Sequence, residues 1–100
     1  MRIEWSGPAQ RDLVEIHDFI ASDSPSQAIN FIRDLVTSTE KLEEFPRLGR
    51  VPPENALKNY RELIFREYRI IYRVADTNVL IARVLHGRRL LRLGWKGWSE

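Results

Sequence analysis

Cysteine is absent from this 100-residue chain, which excludes disulfides and thiolate metal sites and fits a reducing compartment. Histidine occurs twice, as His17 and His86. With no His-x-x-x-His spacing and no cluster of acids, no metal site is expected. Gly49, Gly87, Gly94 and Gly97 form neither a phosphate loop nor a dinucleotide fingerprint, so no cofactor is expected. No local signature supports a Ser–His–acid triad. No apolar run approaches the ~20 residues of a membrane span, and the opening stretch MRIEWSGPAQ carries none at all. No membrane contact and no secretory signal are therefore expected, and the expected location is the cytoplasm. Repeats and low-complexity segments are also missing.

What is present is one domain's worth of chain, 43% hydrophobic and 30% charged, in the range of globular sequences. Its net charge of +2 hides an asymmetry. Residues 1–46 carry four Lys/Arg against nine Asp/Glu, while residues 47–100 carry twelve against five, or −5 against +7. Of the 16 basic residues 13 are arginine, whose planar fork suits phosphate or carboxylate. A polyanionic or acidic partner for the C-terminal half is one reading; internal balance between the halves is the other.

RIEW, Arg2–Trp5, alternates and predicts a short strand. Ser6 and Pro8 then form a helix start signal. Ala9, Leu13, Ile16 and Ile20 follow at helical spacing, with Arg11, Asp12, Glu15 and Asp18 between them, and this helix should end near Ser22. Ser24 and Pro25 start a second helix with Ala28, Ile32, Leu35 and Leu42 on one stripe, running to about Glu44 and stopped by Pro46. The short link makes the pair an antiparallel hairpin. After the irregular PRLGRVPPENALKN the period changes. YRELIF (Tyr60–Phe65), YRIIYRV (Tyr68–Val74) and VLIARVLH (Val79–His86) are strands, and their short gaps force an antiparallel meander.

Strict alternation puts Tyr68, Ile70, Tyr72 and Val74 on one face and Arg69, Ile71 and Arg73 on the other. In the last strand it sets Leu80, Ala82, Val84 and His86 against Val79, Ile81, Arg83 and Leu85. Neither face is cleanly polar and the hairpin covers only one, so a partner chain is the natural cover for part of the second.

The candidate chemistry lies in the arginines. Arg61, Arg69, Arg73, Arg83, Arg88 and Arg89 stand on or beside the sheet among Tyr60, Tyr68 and Tyr72. Such interleaving suits a nucleic-acid backbone with splayed bases, and it suits an acidic peptide equally well. The structural alternative is pairing of some of them with Glu62 and Glu67. The cluster His86, Gly87, Arg88, Arg89 is either a site or a cationic strand exit. In the tail LRLGWKGWSE, Trp95 and Trp98 either fold back on the sheet or anchor a partner.

The first strand, the helical hairpin with SP at its turn, FPRLGR, YRELIFREYRIIYRV and VLIARVLHGRR follow one another in an order that resembles the ParE/RelE superfamily of toxins from bacterial type II toxin–antitoxin modules. The resemblance covers residues 1–91 as a toxin domain and leaves 92–100 as a tail, either part of the same domain or partner-contacting. It implies an α+β fold of order βααβββ, with the hairpin packed on a small antiparallel-type sheet. It also implies a cognate antitoxin whose C-terminal segment wraps the toxin in a hetero-oligomer.

Within that superfamily, ParE-like members poison DNA gyrase without a known hydrolytic site, whereas RelE-like members cut mRNA on the ribosome with basic sheet residues and a C-terminal tyrosine or histidine. The strand motifs and HGRR look closer to ParE, and the tail has no tyrosine. The resemblance thus favours a gyrase inhibitor over an enzyme. The candidate target contacts are Arg61, Arg69, Arg73, His86, Arg88 and Arg89, and the candidate partner contacts are Arg83, Trp95 and Trp98. The alternative is an mRNA endoribonuclease with His86 as acid or base and Arg69 and Arg88 stabilising the phosphate. A non-toxic binding module is the third reading.

Overall fold

A computed structural model of the chain describes residues 1–53 and 59–87. The elements are β1 (Arg2–Trp5), α1 (Gly7–Ala21), α2 (Pro25–Thr39), a 3-10 turn (Glu40–Glu43), β2 (Tyr60–Phe65), β3 (Tyr68–Val74) and β4 (Asn78–His86). Both helices start where their caps predict: Ser6 Oγ accepts the Ala9 N–H at 3.0 Å and Ser24 Oγ accepts the Gln27 N–H at 3.3 Å, with Pro8 and Pro25 in the first turns. The α-helical part of α2 stops at Thr39, short of the expected Glu44. There the Ser38 and Thr39 hydroxyls donate to the Leu35 and Val36 carbonyls at 2.6 and 2.7 Å. Such back-bonding competes with the helical ladder, and the chain tightens into the 3-10 turn that buries Leu42. Among the described residues no helix is long and apolar enough to cross a membrane.

The sheet order is β1-β4-β3-β2. The β2–β3–β4 meander is antiparallel as expected, but β1 lies parallel to β4, with Arg2 beside Asn78 and Trp5 beside Ile81. The sheet is therefore mixed: the helical hairpin is long enough to return the chain for β1's parallel pairing. The helices cover one face. Ala9, Ile16, Leu35 and Leu42 pack there against Leu63, Ile70, Tyr72, Val79, Ile81 and Val84. Each fully buried large apolar side chain contributes roughly 1.5–3 kcal/mol. The class is α+β.

Strict alternation fails in β4. Ile71 pairs with Arg83 but Tyr72 pairs with Ile81, so Ala82 is an extra residue in a bulge. The bulge moves Val84 onto the helix-covered face with Val79 and Ile81, and it turns Leu85 to the other face, where it joins Ala82 against Tyr60 and Ile71. That second cluster is buried within the single chain, while Ile64 on the same face stays exposed. The groups freed at the bulge are satisfied from α1's first turns. Ser6 donates its N–H to Ile81 O at 2.9 Å and its hydroxyl to Ala82 O at 2.7 Å, and Asp12 Oδ2 accepts the Val84 N–H at 2.8 Å.

Candidate functional site

On the face away from the helices, the β2–β3 register sets Glu62 beside Ile71 and Ile64 beside Arg69. The Glu62 carboxylate is fully buried and bonded on both oxygens, to Arg69 Nε and to Arg50 Nε, each at 2.7 Å. Arg50 also exchanges backbone hydrogen bonds with Glu62, at 3.0 and 2.8 Å. The Arg69 side chain is only 5% exposed, against 61% for Arg50. Glu62 thus stands between two guanidinium groups, and Arg69 supports the sheet from inside.

His86 ends β4 opposite Tyr68. Their rings meet edge to face at 5.7 Å, Phe31 meets Tyr68 at 5.7 Å, and Phe31 meets Phe65 at 5.4 Å. Arg66 lies over the Phe65 ring at 4.8 Å and takes a left-handed φ of 53° in the two-residue turn between β2 and β3. His86 Nε2 is 3.5 Å from the Glu67 carboxylate, with its side chain about half exposed. The Gly87 N–H donates to Glu67 O at 2.6 Å. A Cβ at Gly87 would lie 2.9 Å from that oxygen, so glycine is what lets the strand exit close against the turn. Tyr68 has its phenol pushed above the ordinary 10.0, first by burial and then by the Glu67 charge.

Tyr68 and Arg69 are neighbours on β3 and point to opposite faces: Tyr68 pairs with His86, and Arg69 with Leu85. Arg69 and His86 are therefore not brought together. The remaining candidates also divide. Arg61 pairs with Tyr72 on the helix-covered face, and its Nη1 donates to Gly49 O at 2.8 Å. Arg73 pairs with Tyr60 on the other face, its Nε buried with no hydrogen-bond acceptor among the described residues. Burial raises the Tyr60 phenol, and the Arg73 charge pulls it partly back.

Arg83, expected to meet a partner, forms a two-pronged pair with Asp12, Nε at 2.7 Å and Nη2 at 3.0 Å. Arg88, Arg89, Trp95 and Trp98 lie outside the described residues, as does the tail 92–100. Among the described residues no three potential metal ligands cluster.

Three residues that organise these contacts were not singled out as site candidates. Asp12 had a visible signal, since it sits one helical turn from Ala9 and Ile16 on the apolar stripe. Glu62 had a weaker one, as a lone acid in an apolar strand. Gly49 had none: its N–H donates to the buried Tyr72 hydroxyl, 23 residues away, at 2.8 Å.

A family model described as the ParE toxin of the type II toxin–antitoxin system, parDE, matches residues 3–91. Among curated relatives, Toxin RelE2 of Caulobacter vibrioides is 37% identical over 90 residues, covering 89% of this chain and 98% of that protein. Toxin RelE3 of the same organism is 30% identical over 84 residues, covering 84% and 91%. In fold, the chain is similar to a solved structure of the chromosomal ParDE TA system from P. aeruginosa, with a TM-score of 0.74 at 22% identity over 86% of this chain and 95% of that one.

Proposed function

The chain belongs to the ParE toxin family of type II toxin–antitoxin systems, and from that premise we propose that it arrests growth by binding DNA gyrase, without hydrolysing anything. One observation carries this reading against a ribosome-dependent nuclease. Arg69 and His86 stand on opposite faces of the sheet, and Arg69 is held by Glu62. A nuclease stabilises its phosphate with groups that converge on one point, and these two side chains diverge. His86, Arg73, Arg88 and Arg89 then serve as binding groups in the cationic half. Action on gyrase places the protein in the cytoplasm.

A cognate antitoxin neutralises it in a hetero-oligomer. The exposed apolar residues Val14, Phe19 and Ile29 on the helices, with Ile64 on the far face of the sheet, suit an acidic peptide that lays a helix or adds a strand. The nuclease reading keeps one point in its favour, the half-exposed His86 beside Glu67.

Expression without antitoxin in cells carrying a DNA-damage reporter tests the proposal. Growth arrest with reporter induction and intact mRNA is the expected result. Arrest with cut mRNA and a silent reporter contradicts it.

A further inference from the structure

Residues 45–51, FPRLGRV, are tied down from below at several points. The Gly49 N–H donates to the Tyr72 hydroxyl at 2.8 Å, and Tyr72 is fully buried. Arg61 donates to Gly49 O at 2.8 Å and reaches Arg47 O at 3.4 Å. Arg50 is bound to Glu62 by both backbone and side chain. A Cβ at Gly49 would lie 2.6 Å from Glu62 O and from the Tyr72 hydroxyl, so the loop presses as closely on the sheet as a chain can. The Leu48 N–H closes onto Phe45 O at 3.1 Å.

A loop anchored this well has every opportunity to bury its apolar side chains. Instead Phe45, Leu48 and Val51 are 57, 51 and 50% exposed. Arg47 and Arg50 are exposed among them, and the acids Glu43 and Glu44 lie exposed on the side of the 3-10 turn.

We propose that residues 45–51 form a preformed docking knuckle for a folded protein target, which receives Phe45 and Leu48 in an apolar pocket rimmed by carboxylates on the side facing Arg47 and Arg50. This rests on the reading that the chain acts on a protein. Three features select that occupant. The knuckle is already ordered, so docking costs little conformational entropy and suits a rigid partner surface. Its backbone groups at Gly49 and Arg50 are already bonded to the sheet, so an antitoxin tail cannot extend the sheet by strand addition at these two residues. Its exposed side chains are largely apolar and its charges mixed in sign, which does not match the uniform anionic backbone of a nucleic acid.

The test measures Leu48→Asp, Phe45→Ser and Arg47→Glu in the full chain. Thermal stability and affinity for the cognate antitoxin serve as controls, and binding to purified gyrase and growth arrest serve as readouts. Leu48→Asp should weaken gyrase binding by about 30-fold or more, as expected for a central apolar anchor. Arg47→Glu should weaken it by about 10-fold through a lost and reversed rim charge. Melting temperature and antitoxin affinity should stay at parent values.

Variants that bind gyrase and arrest growth as the parent does overturn the knuckle and leave the gyrase reading standing. Loss of antitoxin affinity with gyrase binding intact assigns the surface to the antitoxin and also overturns it. So does target binding that disappears on nuclease treatment. If the parent arrests growth but does not bind gyrase, the gyrase reading fails alone. Growth arrest in the same variants then decides the knuckle, with loss supporting it and retention overturning it. A parent that does neither sinks both.

Discussion

Glu62→Ala removes the one carboxylate shared by Arg50 and Arg69. Both of its oxygens are bonded at 2.7 Å, and Glu62 and Arg69 are 0 and 5% exposed at the side chain. Deleting one member of such a buried pair costs about 3–5 kcal/mol, because the remaining charge is left in a low-dielectric site. Arg50→Ala acts on a side chain 61% exposed, where solvent screens the pair and the cost is about 0–1 kcal/mol. A domain's whole stability is about 5–15 kcal/mol, so Glu62→Ala consumes a large share of it. For a chain of this size, each kcal/mol lost lowers Tm by roughly 4–8 °C.

Arg69→Ala should cost less than Glu62→Ala, because the Glu62 carboxylate then keeps its 2.7 Å bond to Arg50. The double replacement Glu62→Leu/Arg69→Met should cost far less than the sum, since it removes both charges and keeps the volume. Urea denaturation followed by circular dichroism measures all four variants. Toxicity of Arg69→Ala should fall only as its folded fraction falls, and the double variant should regain it. An Arg69→Ala protein as stable as the parent but without effect on its target would refute this reasoning, because the arginine would then be a contact rather than a support.

Asp12→Ala removes the acceptor for Arg83 and for the Val84 N–H at the β4 bulge. It should cost on the order of 3 kcal/mol and expose the Val84 amide to hydrogen exchange, read by NMR. Tyr72→Phe leaves the Gly49 N–H without its 2.8 Å acceptor, which should cost about 1–3 kcal/mol and speed exchange at Gly49 itself. The phenols of Tyr60, Tyr68 and Tyr72 are raised above 10.0 chiefly by burial. Their stabilisation is therefore complete below the unfolded value and lost as pH rises through the folded values. Unfolding in base should begin above about pH 10, with tyrosinate absorbance appearing together with loss of ellipticity. Gly49→Ala forces a Cβ to 2.6 Å from backbone at Glu62 and should destabilise by about 1–3 kcal/mol.

The local elements were legible because their signals are local. Ser6–Pro8 and Ser24–Pro25 started the helices where they start, and the apolar β-branched runs marked β2, β3 and β4. The faces of β4 were not legible, because a bulge needs one residue more than alternation allows and VLIARVLH carries no glycine to announce it. The turn at Arg66 was hidden for a similar reason. It takes a left-handed conformation usually given to glycine or asparagine, at a residue whose guanidinium stacks on Phe65 and lies 3.6 Å from Asp34.

The cationic residues were read as one group, and the structure divides the described ones between the two faces of the sheet and an internal pair with Asp12. Whether an arginine reaches outward or sits in an internal pair depends on partners far away in sequence. Asp12 meets Arg83 across 71 positions, and no local pattern encodes that meeting. The suggestion that sheet-side arginines pair with Glu62 appears in the structure at Arg69, whereas Glu67 meets His86.

The most direct measurement incubates the purified protein with gyrase and supercoiled DNA, and in parallel with programmed ribosomes. Linear, protein-linked DNA should accumulate while mRNA stays intact, and His86→Ala should change the gyrase effect only gradually. Codon-phased mRNA cleavage that vanishes in His86→Ala, with gyrase untouched, would contradict the account.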